Sequence, residues 1–403
     1  MSQPCVLVVD HTAQVGGGEL AMLRVIAQLN ETTGTQVRAL VLDDGPFVER
    51  LREAGVPTAV LPLNAEVATA SRHDVLRFSA LVRSARRVAA FLPRLVRLLR
   101  ASSAQLVVAN TLKSALLVAV AAPLAGRAWV WHLHDRLAPD YLPRPLMHLW
   151  RALAVLGPRR IVVNSEATLA TIPAAARRKA TLAYPGLDAV DPRPSAPADP
   201  APLVGLVGRI SPTKGQREFV QAAALLALRL PAVRFRVIGA ALFGEDAYET
   251  EVRALPAALS IGDRVEFTGW VSDPGARMRE LTLLVHASPV PEPFGQVVAE
   301  AMAAGVPVVA TAAGGIPEIL DPDGSVQPGH ERSWWPTPVG VLVRPGDPAA
   351  LAAAIEWCLT DRRAREKRAA AAVRLAAERF TIETTAAAVW SAWSGAIDRA
   401  PLH

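Results

Sequence analysis

The chain has 403 residues, 51% of them hydrophobic and 20% charged, with a formal net charge of +6. That length predicts two domains, or three, and that composition excludes a disordered chain. The longest unbroken apolar stretch near the middle, residues 115–125, has 11 residues and contains Pro123, well short of the roughly 20 needed to cross a bilayer, so an integral membrane protein is excluded.

Residues 1–10 carry no basic segment ahead of an apolar run and no cleavage-like site, so no secretory leader is expected. The run 6–10 reads as the first strand. Gly16-Gly17-Gly18-Glu19-Leu20 follows it and opens a helix over 19–29. Glycines let a backbone close on a ligand, and a helix N-terminus offers free N–H groups and partial positive charge. The same residues satisfy the dinucleotide pattern G-x-G-x-x-A, with Asp43 and Asp44 downstream. Residues 11–15 separate the strand from the first glycine, however, where a dinucleotide turn follows its strand directly, so NAD or FAD is disfavoured.

Strands are expected next at 36–42 and 58–61. Between Arg72 and Arg100, eight arginines stand against the single acid Asp74, interleaved with Leu, Val and Phe. Such a basic amphipathic stretch lies on anionic lipid or turns its arginines to water, and the two readings weigh equally because Pro93 interrupts it. Nucleic acid is not an expected partner, since no stacking array of aromatics accompanies the arginines.

Strands follow at 106–109, 129–132, 161–163 and 181–184. The fifth strand of this half leads into Trp131-His132-Leu133-His134-Asp135, and no further ligand for a metal site is evident there. The proline-rich stretch 185–202 has no periodicity and reads as a semi-rigid linker. Charge changes sign across it, from +9 over residues 1–190 to −3 over the remainder.

In the second half strands are expected at 203–207, 233–238, 264–267, 284–287, 306–310 and 340–343. Helical patterns lie between them, for example 216–230, where Phe219, Ala223, Leu226 and Leu230 share a face. Arg209 and Lys214 stand five residues apart in Val207-Gly208-Arg209-Ile210-Ser211-Pro212-Thr213-Lys214-Gly215, a cation pair suited to a diphosphate, though taken alone it reads slightly better as a charged surface turn. Glu292 precedes a helix and Glu300 lies inside it among Val297, Val298, Ala301 and Met302. A carboxylate at an inward position needs hydrogen-bond partners, and ribose or sugar hydroxyls are suitable ones. Gly314-Gly315 opens another backbone anion site. Asp321-Pro322-Asp323 imitates a metal-binding DxD and reads as a loop. A charged helix at 361–379 precedes a last segment expected to return toward the first domain.

The alternation of strand and helix predicts α/β architecture: two doubly wound Rossmann-like domains with an interdomain cleft. The expected division is 1–185, a linker 186–202, a second domain 203–379 and a C-terminal helix in 380–403. Two cysteines, Cys5 and Cys358, allow no disulfide framework. A soluble, cytoplasmic protein is expected, and 39 arginines against 4 lysines point to a GC-rich bacterial genome.

Five motifs in one order, HTAQVGGGEL, IVVNSEA, VGRISPTKG, the Glu-x7-Glu pair with GVPVVAT, and GGIPE, resemble the retaining GT-B glycosyltransferases of family 4 over nearly the whole chain. The resemblance implies a metal-independent transferase that moves a sugar from a nucleotide-diphosphate sugar, UDP- or GDP-linked, to an acceptor hydroxyl, with no cofactor. Arg209 and Lys214 are implied to hold the diphosphate, Glu300 the ribose, and Glu292 the donor sugar. Phe294 and Gly295 are implied to offer backbone N–H groups, Gly17 and Gly18 to close on phosphates and acceptor, and Gly239 and Thr268 to line the base pocket. His134 resembles the family's donor-facing histidine, with His132 as the alternative and Asp135 orienting it or meeting the acceptor. The acceptor is a sugar, a lipid-linked group or a small molecule. The competing readings are a nucleotide-sugar epimerase or phosphorylase on the same fold, and a non-catalytic nucleotide-sugar-binding or membrane-associated subunit.

Overall fold

The computed structural model describes residues 3–63, 78–188, 201–242, 244–326 and 332–398. Arg72 and Arg77, the side chains of Arg83, Arg86 and Arg87, and residues 189–200 of the expected linker lie outside the described residues. The chain divides into two units. One takes everything up to Asp188 together with Ile382 onward, and the other takes Ala189–Thr381.

The first unit is built on β1 (Cys5–Asp10), β2 (Gln36–Val41), β3 (Thr58–Val60), β4 (Leu106–Ala109), β5 (Ala128–Leu133), β6 (Arg160–Val163) and β7 (Ala180–Leu182). They pair in the order β3-β2-β1-β4-β5-β6-β7, parallel throughout. All six residues of β1 are buried because both faces of the sheet are covered. Leu7 and Val9 pack on one side with Leu95, Leu99 and Val118. Val6 and Val8 pack on the other with Met22, Ile26 and Trp393. Each such side chain contributes about 1.5–3 kcal/mol by leaving water. The strand order reverses between β1 and β4, so Asp10, which ends β1, and Asn110, which follows β4, flank the crevice where this architecture takes ligands.

Helix Phe78–Ala101 runs through Pro93, where the sequence predicts a break. Ala89 and Ala90 are exposed, so the carbonyl that Pro93 leaves without an N–H partner faces water and the helix continues. Helix Ile382–Ile397 buries Ile382, Ala386, Val389, Trp393 and Ala396 in the first unit's core. Thr385 Oγ1 donates to the Tyr184 carbonyl at 2.7 Å and Arg159 Nη1 to that of Ala396 at 3.0 Å. A Cβ on Gly186 would stand 2.6 Å from Ile382 Cα, so only glycine lets the backbone pass there.

The second unit repeats the plan with β8 (Leu203–Val207), β9 (Arg234–Ile238), β10 (Val265–Phe267), β11 (Leu283–His286), β12 (Val308–Thr311), β13 (Trp334–Pro336) and β14 (Val341–Val343), in the order β10-β9-β8-β11-β12-β14-β13. The order again reverses, here between β8 and β11. Helix Gln216–Ala227 buries Phe219, Ala223 and Leu226, the face its periodicity predicts. It ends before Leu230 because Pro231 follows, and the residue ahead of a proline is pushed out of the helical region. β13 has no counterpart in the sequence reading. Three residues ending on a proline make a tolerable edge strand, antiparallel to β14, and Trp334 packs 5.1 Å from Trp357.

Candidate active site

In the second unit the site is built where β8 and β11 end. Gly215 sits at φ 77°, and a Cβ there would overlap the Ala287 carbonyl, so glycine alone lets the 208–215 loop press against the end of β11. Gln216, fully buried, pins that loop. Its Nε2 donates to the Arg209 carbonyl at 2.9 Å, and its Oε1 accepts from the Ser211 N–H at 3.3 Å.

Lys214 Nζ then donates to Glu292 Oε1 at 2.7 Å. Glu292 is 9% exposed. Burial alone would raise its carboxyl, but the Lys214 ammonium and His286 outweigh burial and hold it well below the usual carboxylate range. His286, at the end of β11, accepts or donates at Nδ1 with Thr311 Oγ1 (3.2 Å) and places Nε2 3.7 Å from Glu292 Oε1. The Glu292 backbone bridges to Gly314, and its carbonyl accepts from Gly315 N–H at 3.0 Å. A Cβ on Gly314 would overlap that carbonyl. The two glycines of the GGIPE turn therefore exist, in part, to let Glu292 be held.

Arg209 is engaged elsewhere on the same loop. Its Nη1 donates to Glu245 Oε2 at 2.8 Å, and Ser211 Oγ donates to the other oxygen of Glu245 at 3.1 Å. Gly239 N–H donates to the Gly269 carbonyl at 3.1 Å, and a Cβ on Gly239 would overlap the Gly208 carbonyl, which packs three loops together at one end of the sheet. Thr268, beside them, donates from Oγ1 to Gly269 O at 2.9 Å. Gly295, at φ 109°, caps helix Gln296–Ala303. The Phe294 ring is buried edge-on against Phe380. Glu300 is half-buried, not enclosed as its apolar neighbours predict, and Glu292 is the more deeply placed acid. Asp321 closes its loop by accepting from Ser325 and Val326 N–H groups.

In the first unit, Gly16 caps helix Gly17–Thr32 and His134 follows β5. A Cβ on Gly18 would stand 3.5 Å from His134 Cγ. The His134 Nε2 partner is Asn110 Oδ1 at 2.9 Å, not Asp135, whose Oδ1 accepts from Tyr141 Oη at 2.7 Å. Asn110 Nδ2 donates in turn to Asp10 Oδ2 at 2.8 Å. His132 is buried, with its Nε2 accepting from Trp393 Nε1 at 3.0 Å, and His134 is the ring beside the glycine loop. Burial pushes Asp10 up to about 6 and, with Asp10 nearby, pushes Glu19 up to about 8. Burial also lowers both His132 and His134.

Sequence reading misses Asp10, Asn110, Glu245 and His286. The first two carry a signal, polar residues at the ends of the two strands flanking a chain reversal; nothing local marks the others.

Residues 16–186 match the model of the glycosyl transferase 4-like domain, and residues 189–374 that of glycosyl transferases group 1. The chain belongs to the family 4 GT-B glycosyltransferases. A D-inositol 3-phosphate glycosyltransferase of Stackebrandtia nassauensis is 30% identical over 319 residues, 69% of this chain and 66% of that protein. Another from Mycobacterium sp. (strain JLS) is 32% identical over 216 residues, 50% of this chain and 48% of that one. The chain thus spans about half to two thirds of the length of these curated relatives. The structure of Anabaena HepE in complex with UDP and glucose is 27% identical, with a TM-score of 0.79 over 98% of this family member and 100% of that chain.

Proposed function

We propose that this glycosyltransferase moves a sugar from a nucleotide-diphosphate sugar to an acceptor hydroxyl, with retention of anomeric configuration and without a metal. The observation that carries this reading is Lys214 bonded to a buried, ionised Glu292 at the mouth of a glycine-lined loop. A cation so placed meets a diphosphate, while the carboxylate beside it accepts from sugar hydroxyls. HepE, bound in separate structures to UDP and to UDP-glucose, supports a uridine donor. GDP-linked donors remain in the proposal.

In the reaction the bond from the anomeric carbon to the diphosphate oxygen breaks while the acceptor oxygen bonds to the same face. The acceptor proton passes to the departing phosphate oxygen. Lys214 and Arg209 neutralise the diphosphate charge as it develops; Glu300 holds the ribose, and Gly295 and Phe294 offer N–H groups. Gly17, Gly18, His134 and Asp135 serve the sugar and the acceptor. Incubation with UDP- and GDP-sugars plus inositol phosphate, 2-deoxystreptamine and simple sugars tests this. A glycosylated product with the donor's anomeric configuration is expected. Nucleotide binding without product indicates a binding subunit, and an isomerised donor an epimerase.

Peripheral contact with anionic lipid on the cytoplasmic side belongs to the same proposal. No Asp or Glu occurs between Asp74 and Asp135. Helix Leu112–Leu124 exposes Leu116, Val120 and Leu124 on one stripe, and Arg94, Arg97 and Arg100 are exposed on the helix packed against it. Among the described residues no helix is long and apolar enough to cross a membrane. Co-sedimentation with phosphatidylglycerol vesicles, lost in Leu116→Glu/Val120→Glu, is the expected result.

A further inference from the structure

β5 and the residue after it carry two histidines, and the groups around them impose opposite protonation patterns. An indole N–H only donates, so Trp393 at 3.0 Å from His132 Nε2 leaves that nitrogen bare and puts the His132 proton on Nδ1. For His134 the chain of constraint starts at Asp10. An ionised carboxylate only accepts, so Asn110 must turn its NH2 group to Asp10 Oδ2, at 2.8 Å. The Asn110 carbonyl is thereby committed to face His134 Nε2, at 2.9 Å. An amide oxygen only accepts, so that nitrogen must carry the proton. Burial, which lowers the His134 pKa, keeps the ring neutral, and a neutral ring protonated at Nε2 has a bare Nδ1. The ring lies under Gly18, with a Cβ there only 3.5 Å from Cγ.

We infer that Asp10 and Asn110 are positioning residues that hold His134 as its Nε2–H tautomer, so that Nδ1 accepts a hydrogen bond from a substrate hydroxyl. The substrate half of this rests on the glycosyl-transfer reading; the tautomer does not. The device makes the first unit a reader of hydroxyl donors, because a carbonyl, carboxylate or fluorine placed at Nδ1 finds no proton. The charged and titratable groups that face it are His11, with Nδ1 3.8 Å from Asp10 Oδ1, Glu19, whose charge bears on Asp10, Asp135, whose charge bears on His134, and His132, with ring centroids 6.1 Å apart. Burial, with the Lys113 charge nearby, pushes His11 down to about 3, so His11 brings no positive charge at neutral pH.

The test is nitrogen-15 histidine NMR of the full chain at pH 7.5, with no substrate present. The expected spectrum has His134 as Nε2–H and His132 as Nδ1–H. In Asp10→Asn and Asn110→Ala, His134 becomes a mixture of tautomers while the His132 pattern, which reports a folded first unit, is unchanged. Transfer by the same variants is expected to fall on the order of tenfold or more in kcat/KM, the usual cost of losing an orienting partner. With the wild type, deoxy and deoxyfluoro forms of the donor sugar lose equally at the hydroxyl His134 reads, because fluorine accepts but cannot donate. An Nδ1–H or doubly protonated His134 in the wild type overturns the inference, as does an Nε2–H tautomer and wild-type kcat/KM in both variants. The expected tautomers with no activated sugar consumed would uphold the positioning role and refute the transferase reading instead.

Discussion

The two units end their sheets in the same way, and each lines the crevice at its own chain reversal with different electrostatics. In the second unit Glu292 has a cation at 2.7 Å and stays ionised although buried. In the first, Asp10 and Glu19 have no ion pair with a lysine or arginine among the described residues, and burial raises both. At neutral pH Asp10, at about 6, still ionises, and Glu19, at about 8, is mostly the acid; a carboxylate's charge follows its neighbours as well as its depth. The contrast runs against the bulk charges, +9 for residues 1–190 and −3 for the rest. Lys214 and Glu292, proposed to meet the diphosphate and the sugar, sit in the half with the acidic balance, and His134, proposed to read a hydroxyl, sits in the basic half.

The largest effect that sharpens this contrast comes from Lys214→Ala. Removing one preorganised cation from a developing diphosphate typically costs about a hundredfold to a thousandfold in turnover, so kcat should fall by that order while circular dichroism stays unchanged. Lys214→Arg should recover part of it. Retention of wild-type kcat in Lys214→Ala would leave the second unit's cation without a role.

Next is Gly314→Ala. The left-handed φ of 64° and the overlap with the Glu292 carbonyl add strain on the order of 1–3 kcal/mol or more. A Tm loss of about 5 °C or more is expected, at roughly 2–4 °C per kcal/mol for a unit of this size, together with loss of transfer.

pH separates the two units. A carboxyl raised in the fold stabilises below its unfolded pKa, and that stability is lost as pH rises through the folded value. Asp10, at about 6, and Glu19, at about 8, therefore cost the first unit stability progressively as pH rises from roughly 4 to 8, and the loss persists above that. Glu292, held low, does the reverse: its contribution is present above the usual carboxylate range and is lost as pH falls below it. Glu19→Gln should raise Tm at pH 8.5 and leave it unchanged at pH 5; an equal shift at both would place the effect outside titration. The smallest effect is Trp393→Phe, which strands His132 Nε2 at a cost of about 1–3 kcal/mol, read as a modest Tm loss with kcat unchanged.

The fold was legible because parallel strands buried on both faces read as short apolar runs: β4 and β8 match their expected limits residue for residue. β13 escaped because Trp-Trp-Pro neither alternates nor forms an apolar run bounded by turns. Among the proposed site residues, Arg209, Lys214, Glu292 and the glycines carried a signal in local spacing. Asp10, Asn110 and His286 did not, since 100 residues separate Asp10 from Asn110 and only the strand order brings them together. His132 and His134 look alike in sequence, and one tryptophan 261 residues away tells them apart.

The most direct test of the diphosphate site is calorimetric titration of the wild type and Lys214→Ala with UDP and uridine, and with GDP and guanosine. One diphosphate is expected to bind at least tenfold tighter than its nucleoside, and Lys214→Ala to erase most of that difference while leaving nucleoside affinity unchanged. Equal binding of nucleoside and diphosphate by the wild type, or an undiminished difference in Lys214→Ala, would contradict this expectation.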